Sequence, residues 1–129
     1  MLAKHLNAII KPYIANKYML KSTSDFIDIL NIKGNDGIIV SLDVESLFTK
    51  IPIMETIDII IQNVYHYHTL PPLKIHDKIL RQFLNLCTTE ASFVTPNGQL
   101  NCQVEGVTMG NSLGLCFANY YMTNLKKIY

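Results

Sequence analysis

Apolar residues recur every three or four positions in three stretches of the chain, and this spacing predicts amphipathic helices. The clearest stretch follows Pro52, a residue that suits the first turn of a helix. Its predicted inner face consists of Ile53, Ile57, Ile61 and Val64. Two further inner faces are predicted, one made of Ile75, Ile79, Phe83, Leu86 and Cys87, and one, capped by Ser112, made of Leu113, Phe117, Tyr121 and Leu125. We expect these helices to pack on one face of a small sheet.

The first third of the chain carries weaker helical signals. Residues 1–21 have helical spacing, but Pro12 interrupts it because proline lacks the backbone N–H that a helix interior requires. Residues 22–25, Ser-Thr-Ser-Asp, then offer N-cap residues for a short helix, and Gly34 tolerates the left-handed conformation that is common just after a helix. We therefore predict a partly helical N-terminal segment, followed by a helix that ends near Gly34.

Sheet-forming patterns occur in two places. Side chains of residues 38–44 alternate in direction, so one predicted face is aliphatic while Asp43 falls on the other face. Residues 92–94 and 100–104 flank an Asn-Gly dipeptide at 97–98, which is typical of a tight hairpin turn. We expect the strand over 38–44 to pair with this hairpin or lie near it. The predicted fold is thus α+β, with helices packed on a small, incomplete antiparallel sheet.

Length and composition fit one small packed domain. The chain has 129 residues, of which 49% are hydrophobic and 16% charged. No apolar run approaches the ~20 residues needed to cross a bilayer, and no signal peptide stands out, so we expect an intracellular protein in the nucleus or the cytoplasm. The three cysteines are far apart and predict core residues rather than a disulfide framework.

The overall charge gives little indication of a partner. Net charge is only +1, although Lys4, Lys11, Lys17 and Lys21 give the N-terminal segment a local basic bias. A nucleic-acid enzyme gathers its phosphate contacts across several subdomains, so a fragment of one can be this neutral.

A first block with candidate chemistry lies at residues 41–52, which read Ser-Leu-Asp-Val-Glu-Ser-Leu-Phe-Thr-Lys-Ile-Pro. Asp43 is a carboxylate at the end of a predicted strand, and the aromatic Phe48 follows five positions later. This string, followed by a helix, resembles the first palm motif of reverse transcriptases. The resemblance is closest to Penelope-like retroelements, which favour a Ser-Leu-Phe-Thr-x-Ile-Pro continuation.

A second block at residues 103–122 reads Gln-Val-Glu-Gly-Val-Thr-Met-Gly-Asn-Ser-Leu-Gly-Leu-Cys-Phe-Ala-Asn-Tyr-Tyr-Met. It is similar to the next motif of the same family, a Gly-x-x-Met-Gly turn opening a helix that carries Ala-Asn. Two motifs in the right order are more specific than either alone. The resemblance implies an N-terminal extension over residues 1–21 and, over residues 22–129, a partial reverse transcriptase domain comprising part of the fingers and palm.

The resemblance also implies a set of site residues. In such polymerases two Mg²⁺ ions activate the primer 3′-hydroxyl and neutralise the triphosphate, which requires carboxylate oxygens. Asp43 is then a catalytic residue and a magnesium ligand, and the carbonyl of Val44 assists it. Phe48 packs under the incoming sugar and selects deoxynucleotides, while Met109 and Gly110 let the backbone approach the nucleotide. The implied partners are an RNA template, a DNA primer and dNTPs.

The chain departs from the family pattern in two ways. Relatives usually carry Ser-Pro where this chain has Asn111-Ser112, and again where it has Gly114-Leu115, so we expect a looser turn. No aromatic-x-Asp-Asp box follows Tyr121 in this sequence. That box supplies the remaining metal-binding carboxylates, and two cations held close together need several anionic ligands. We therefore expect this polypeptide to be inactive by itself.

Simpler interpretations of both motif residues remain open at this point. Asp43 could cap the turn at residues 46–48, and Phe48 could be a core aromatic. A different function class is also open: a non-enzymatic nucleic-acid-binding or interaction module derived from a retroelement.

Overall fold

The computed structural model of the chain describes residues 1–14, 19–34, 37–66, 70–89 and 92–128, so Lys17 of the basic N-terminal segment lies outside the described residues. The helices are α1 (Leu2–Ile10), followed by a 3₁₀ turn (Lys11–Tyr13), α2 (Thr23–Lys33), α3 (Leu47–Lys50), α4 (Ile53–Tyr65), α5 (Asp77–Thr89) and α6 (Gly114–Ile128). The strands are β1 (Ser92–Val94) and β2 (Leu100–Cys102), which pair antiparallel. The predicted α+β class is confirmed.

The isoleucine-rich helix α4 lies at the centre of the core. Its predicted inner face is buried, and Ile59 and Ile60 are buried as well, so α4 is covered on more than one side. It packs against both α5 and α6. The one buried hydroxyl in its first turn, on Thr56, donates to the carbonyl of Pro52 at 2.8 Å. Removing this much apolar surface from water is the main source of the fold's stability.

Helix α5 forms where expected, but its predicted inner face is wrong. The residues buried against the core are Leu80, Leu84 and Thr88, whereas Ile79 and Phe83 remain substantially exposed. Both sets repeat at four-residue intervals, so helical spacing alone does not distinguish them. The packed face includes a polar residue because the Thr88 hydroxyl donates to the Leu84 carbonyl at 2.9 Å and so needs no water.

A long-range hydrogen bond joins the first and last helices. The hydroxyl of the buried Tyr120 on α6 donates to the carbonyl of Ile10, the last residue of α1, at 2.6 Å. Burial raises the pKa of the Tyr120 hydroxyl and raises that of the neighbouring Cys116 thiol to about 12, so both stay protonated at neutral pH. The Tyr120–Ile10 contact is therefore a buried hydrogen bond between uncharged groups.

The remaining faces follow the sequence in part. Leu113, just before α6, and Phe117 on α6 are buried as predicted, while Tyr121 and Leu125 are half-buried. Helix α2 has the predicted cap, since the Ser22 hydroxyl accepts from the backbone N–H of Asp25 at 3.2 Å, and the helix ends at Gly34 as expected. None of the residues of α2 is buried.

The predicted strand over residues 38–44 is wrong. This segment lies outside the helices and strands, and its apolar side chains face solvent: Ile38 is 92% and Leu42 is 89% exposed. Its alternating pattern suits a strand, but β-propensity expresses itself only where a neighbouring strand pairs with the backbone and buries one face. The hairpin forms without it.

The hairpin itself is confirmed. Phe93 pairs with Asn101 and Val94 with Leu100, and Gly98 adopts φ +81° in the predicted turn. Both strands are largely exposed, and the described sheet consists of these two strands. Within the described ranges, no helix combines the length and apolar character needed to cross a bilayer.

The Tyr120 hydrogen bond generates a stability prediction. Tyr120→Phe leaves the buried Ile10 carbonyl without its hydrogen-bond donor and should lower the free energy of unfolding by about 1–3 kcal/mol. Tyr13→Phe is the matched control, because the Tyr13 hydroxyl donates to the Pro71 carbonyl at 2.6 Å in an exposed place where water can replace it. Urea unfolding should show the smaller loss for the control, and equal losses would contradict the assignment.

Candidate functional site

The two sequence blocks meet at Gly106. The backbone N–H of Val107 donates to the carbonyl of Phe48 at 2.7 Å, which joins the second block directly to the first. Gly106 adopts φ +74°, and a Cβ built on it would lie 2.5 Å from the Phe48 carbonyl oxygen and from Thr49 Cα. A side chain there would have to displace backbone, so the junction requires glycine.

Phe48 packs in the protein at this junction. Its side chain is half-buried against the core, and its Cδ1 atom lies 3.7 Å from a Cβ built at Gly114, the first residue of α6. The Phe48 ring therefore lies beside the start of α6. This packing is what a core aromatic needs, and the predicted sugar-selecting role of Phe48 stays a prediction.

The turn before α6 is held firmly by Asn111, contrary to the looser turn expected from the missing prolines. The Asn111 amide donates to the Cys87 carbonyl at the end of α5 at 2.7 Å, and its oxygen accepts from the Leu113 backbone N–H at 3.0 Å. The side-chain oxygen that accepts a backbone hydrogen bond at the start of α6 is therefore that of Asn111. The predicted cap was Ser112. Asparagine favours such turns because its side chain bonds nearby backbone.

Met109 and Gly110 form the tip of this same turn. Both are exposed, with Met109 78% accessible, and open space surrounds the Gly110 Cα. Behind them, the Thr108 carbonyl accepts from the Asn111 N–H at 2.9 Å. The tip is free to meet a ligand from solvent, and the predicted nucleotide contacts of these two residues remain predictions.

Asp43 and Val44 lie in the exposed segment that was predicted to be a strand, so Asp43 does not stand at a strand end. Close to them along the chain, Glu45 forms an ion pair with Lys50 at 4.0 Å; both side chains are mostly exposed, so this pair contributes little stability. Among the residues that the structure describes, no three His, Cys, Asp or Glu side chains gather closely enough to hold a metal ion. The described donor set therefore does not fit a two-magnesium centre.

A cleft of about 510 Å³ opens where the blocks face each other. Residues 49–55 and 104–106 line it, and Lys50, Glu55 and Glu105 supply its charged groups. None of the five predicted site residues is among these lining residues. The close approach at Gly106 and the anchoring by Asn111 are the two features that sequence reasoning missed. In the sequence, these two features were indicated only by the glycine of the Gly-x-x-Met-Gly turn and by an asparagine beside the start of a predicted helix.

Comparison of the chain with protein-family models, curated proteins and solved structures returned no match.

Gly106 provides a direct test of the junction. Gly106→Ala combines a left-handed backbone, which costs an L-residue about 1–2 kcal/mol, with overpacking against backbone, which costs about 1–3 kcal/mol. The free energy of unfolding should therefore fall by about 2–5 kcal/mol in urea titrations.

Two glycines serve as matched controls for this substitution. Gly98 has φ +81° but open space around it, so Gly98→Ala should lose only the backbone contribution. Gly110 has open space and no positive φ, so Gly110→Ala should change stability by less than about 0.5 kcal/mol. Equal losses at Gly106 and Gly98 would show that the close approach does not exist.

Proposed function

We propose that this chain is part of an RNA-directed DNA polymerase, the reverse transcriptase of a Penelope-like retroelement, and that it comprises a portion of the fingers and palm. The complete parent transfers nucleotides from dNTPs to a DNA primer on an RNA template, with Mg²⁺ as cofactor. The present chain carries the first carboxylate, Asp43, and is inactive by itself.

The observation that carries the proposal is the contact between the two motif-like blocks. Residues 41–52 and 103–122 are separated by about fifty positions, yet the Val107 N–H bonds to the Phe48 carbonyl and Gly106 abuts Thr49. A polymerase palm needs its first motif and its Met-Gly turn beside the same nucleotide. The contact between the two segments is the arrangement that the proposal requires.

Inactivity of the chain follows from its carboxylates. A two-metal nucleotidyl transfer needs several acidic ligands around the ions. Asp43 is exposed on a segment without secondary structure, and the described residues gather no group of ligands around it. In the parent, the Asp pair of the aromatic-x-Asp-Asp box and a paired strand over residues 38–44 would complete the site.

One observation favours the alternative, a non-enzymatic interaction module. The segment 38–44 and the hairpin expose several large apolar residues, and surfaces of this kind commonly mark binding to another protein. The same exposure is expected of a palm whose next strands are missing. The two candidates therefore differ in what the neighbouring coding sequence contains.

Transcript sequencing past the codon for Tyr129, followed by a primer-extension assay, tests the proposal. We expect an aromatic-x-Asp-Asp box downstream, in the same frame or after a frameshift. The 129-residue chain should not extend a DNA primer on an RNA template with Mg²⁺ and dNTPs, whereas the chain rejoined to the downstream segment should extend it.

The rejoined chain allows a matched pair of variants. Asp43→Asn should lower extension at least about 100-fold, since even the loss of a metal's outer partners costs roughly 10–100-fold. Glu45→Gln removes an exposed carboxylate two positions away and should leave extension unchanged. A natural stop with no downstream Asp-Asp box, or extension by the 129-residue chain that Asp43→Ala abolishes, would contradict the proposal.

A further inference from the structure

A small cavity with a mixed polar and apolar lining lies between α1 and α6, on the flank of the Tyr120–Ile10 hydrogen bond. Its volume is about 100 Å³, which corresponds to a few water molecules at roughly 30 Å³ each. Four polar side chains line it, and they are Asn7, Lys11, Ser112 and Asn119. The cavity is thus large enough for one compact ligand and has polar groups on both of its walls.

Helical spacing directs these side chains to one place. Asn7 and Lys11 are four residues apart at the end of α1, so they share a face. Asn119 lies three residues after Cys116 on α6, and both line the cavity together with Ser112. The hydroxyl of Tyr120, next to Asn119, fixes the distance between the two helices through its bond to Ile10. The cavity is therefore a product of the fold and not of a surface loop.

The charge in the cavity is positive. Among the described residues lining it there is no aspartate or glutamate, and Lys11 supplies the one charged group in that set. The field of the Lys11 ammonium reaches the opposite wall, because it opposes the burial effect on the pKa of the Cys116 thiol. A cation near neutral donors, without a competing carboxylate, favours a negatively charged ligand.

The donors are also unused. Within the described part of the chain, the side chains of Asn7, Lys11, Ser112 and Asn119 make no hydrogen bond to protein. Asn7, Ser112 and Asn119 are half-buried, so their polar atoms still reach solvent and are available to a ligand. A ligand with several acceptor oxygens would satisfy all four at once.

We propose that this cavity binds a small tetrahedral oxyanion, an orthophosphate group, held by the Lys11 ammonium and by the donors of Asn7, Ser112 and Asn119. The volume suits one such group. The phosphate could come from the free ion or from the terminal phosphate of a nucleotide. This site is separate from the junction at Gly106 and does not depend on the proposed polymerase ancestry.

Isothermal titration of the full chain with inorganic phosphate, at ionic strength held constant with chloride, tests the proposal. We expect saturable one-site binding by the wild type. Lys11→Gln should weaken it at least about tenfold, since a hydrogen bond to a charged group contributes on the order of a tenfold change or more. Lys4→Gln, on the same helix but away from the cavity, should bind like the wild type.

A second pair of variants tests the other wall. Asn119→Asp places a carboxylate in the cavity and should also weaken phosphate binding at least about tenfold, while Asn124→Asp on the same helix should not. Far-ultraviolet circular dichroism checks that each variant is folded.

Titration with thymidine 5′-monophosphate distinguishes the two sources of the group: binding equal to that of phosphate indicates a nucleotide's terminal phosphate, and binding of phosphate alone indicates the free ion. No saturable binding by the wild type, or equal affinity in Lys11→Gln and Lys4→Gln, would overturn the proposal.

Discussion

The burial of α4 between its neighbours is the constraint on which the candidate site depends. The first block, residues 41–52, ends at Pro52, directly before α4. The second block, residues 103–122, runs into α6, which packs on α4. Once the isoleucines of α4 are buried against α6, the ends of both blocks must lie side by side. Gly106 makes that approach possible, because its missing side chain lets the second block lie directly on Phe48 and Thr49.

The same constraint explains why some residues of the two blocks pack against the core while others remain exposed. Phe48 is close to α6 and is packed, and the turn before α6 is tied to the end of α5 by Asn111. Residues 38–44 precede the constrained region and pair with neither of the two described strands, so Asp43 and Val44 are exposed. The sheet that the structure describes has two strands, and neither of them lies beneath Asp43.

Sequence pattern predicted the elements that depend on local spacing. The inner face of α4, the cap at Ser22 and the turn at residues 97–98 all follow from residues within a few positions of each other. The sequence pattern failed where contacts with residues far along the chain determine which face is buried. On α5 two apolar faces were equally regular, and contact with the rest of the core selected Leu80 and Leu84.

The candidate site divides in the same way. The two blocks stand in the order that the resemblance implies, but their contact, and with it the role of Gly106, joins residues more than fifty positions apart. The firmness of the turn depends on the Asn111 amide reaching the Cys87 carbonyl, 24 residues away. The exposed position of Asp43 reflects a missing strand partner, which alternation of residues 38–44 does not reveal.

The direct contact between the blocks is the central claim, and amide hydrogen exchange at Val107 tests it most directly. The Val107 N–H donates to the Phe48 carbonyl at 2.7 Å, so its exchange should be slowed to the rate of core amides in α4 such as Ile60. If Val107 instead exchanges as fast as the exposed residues 38–44, the two blocks do not meet, and the account of the site is contradicted.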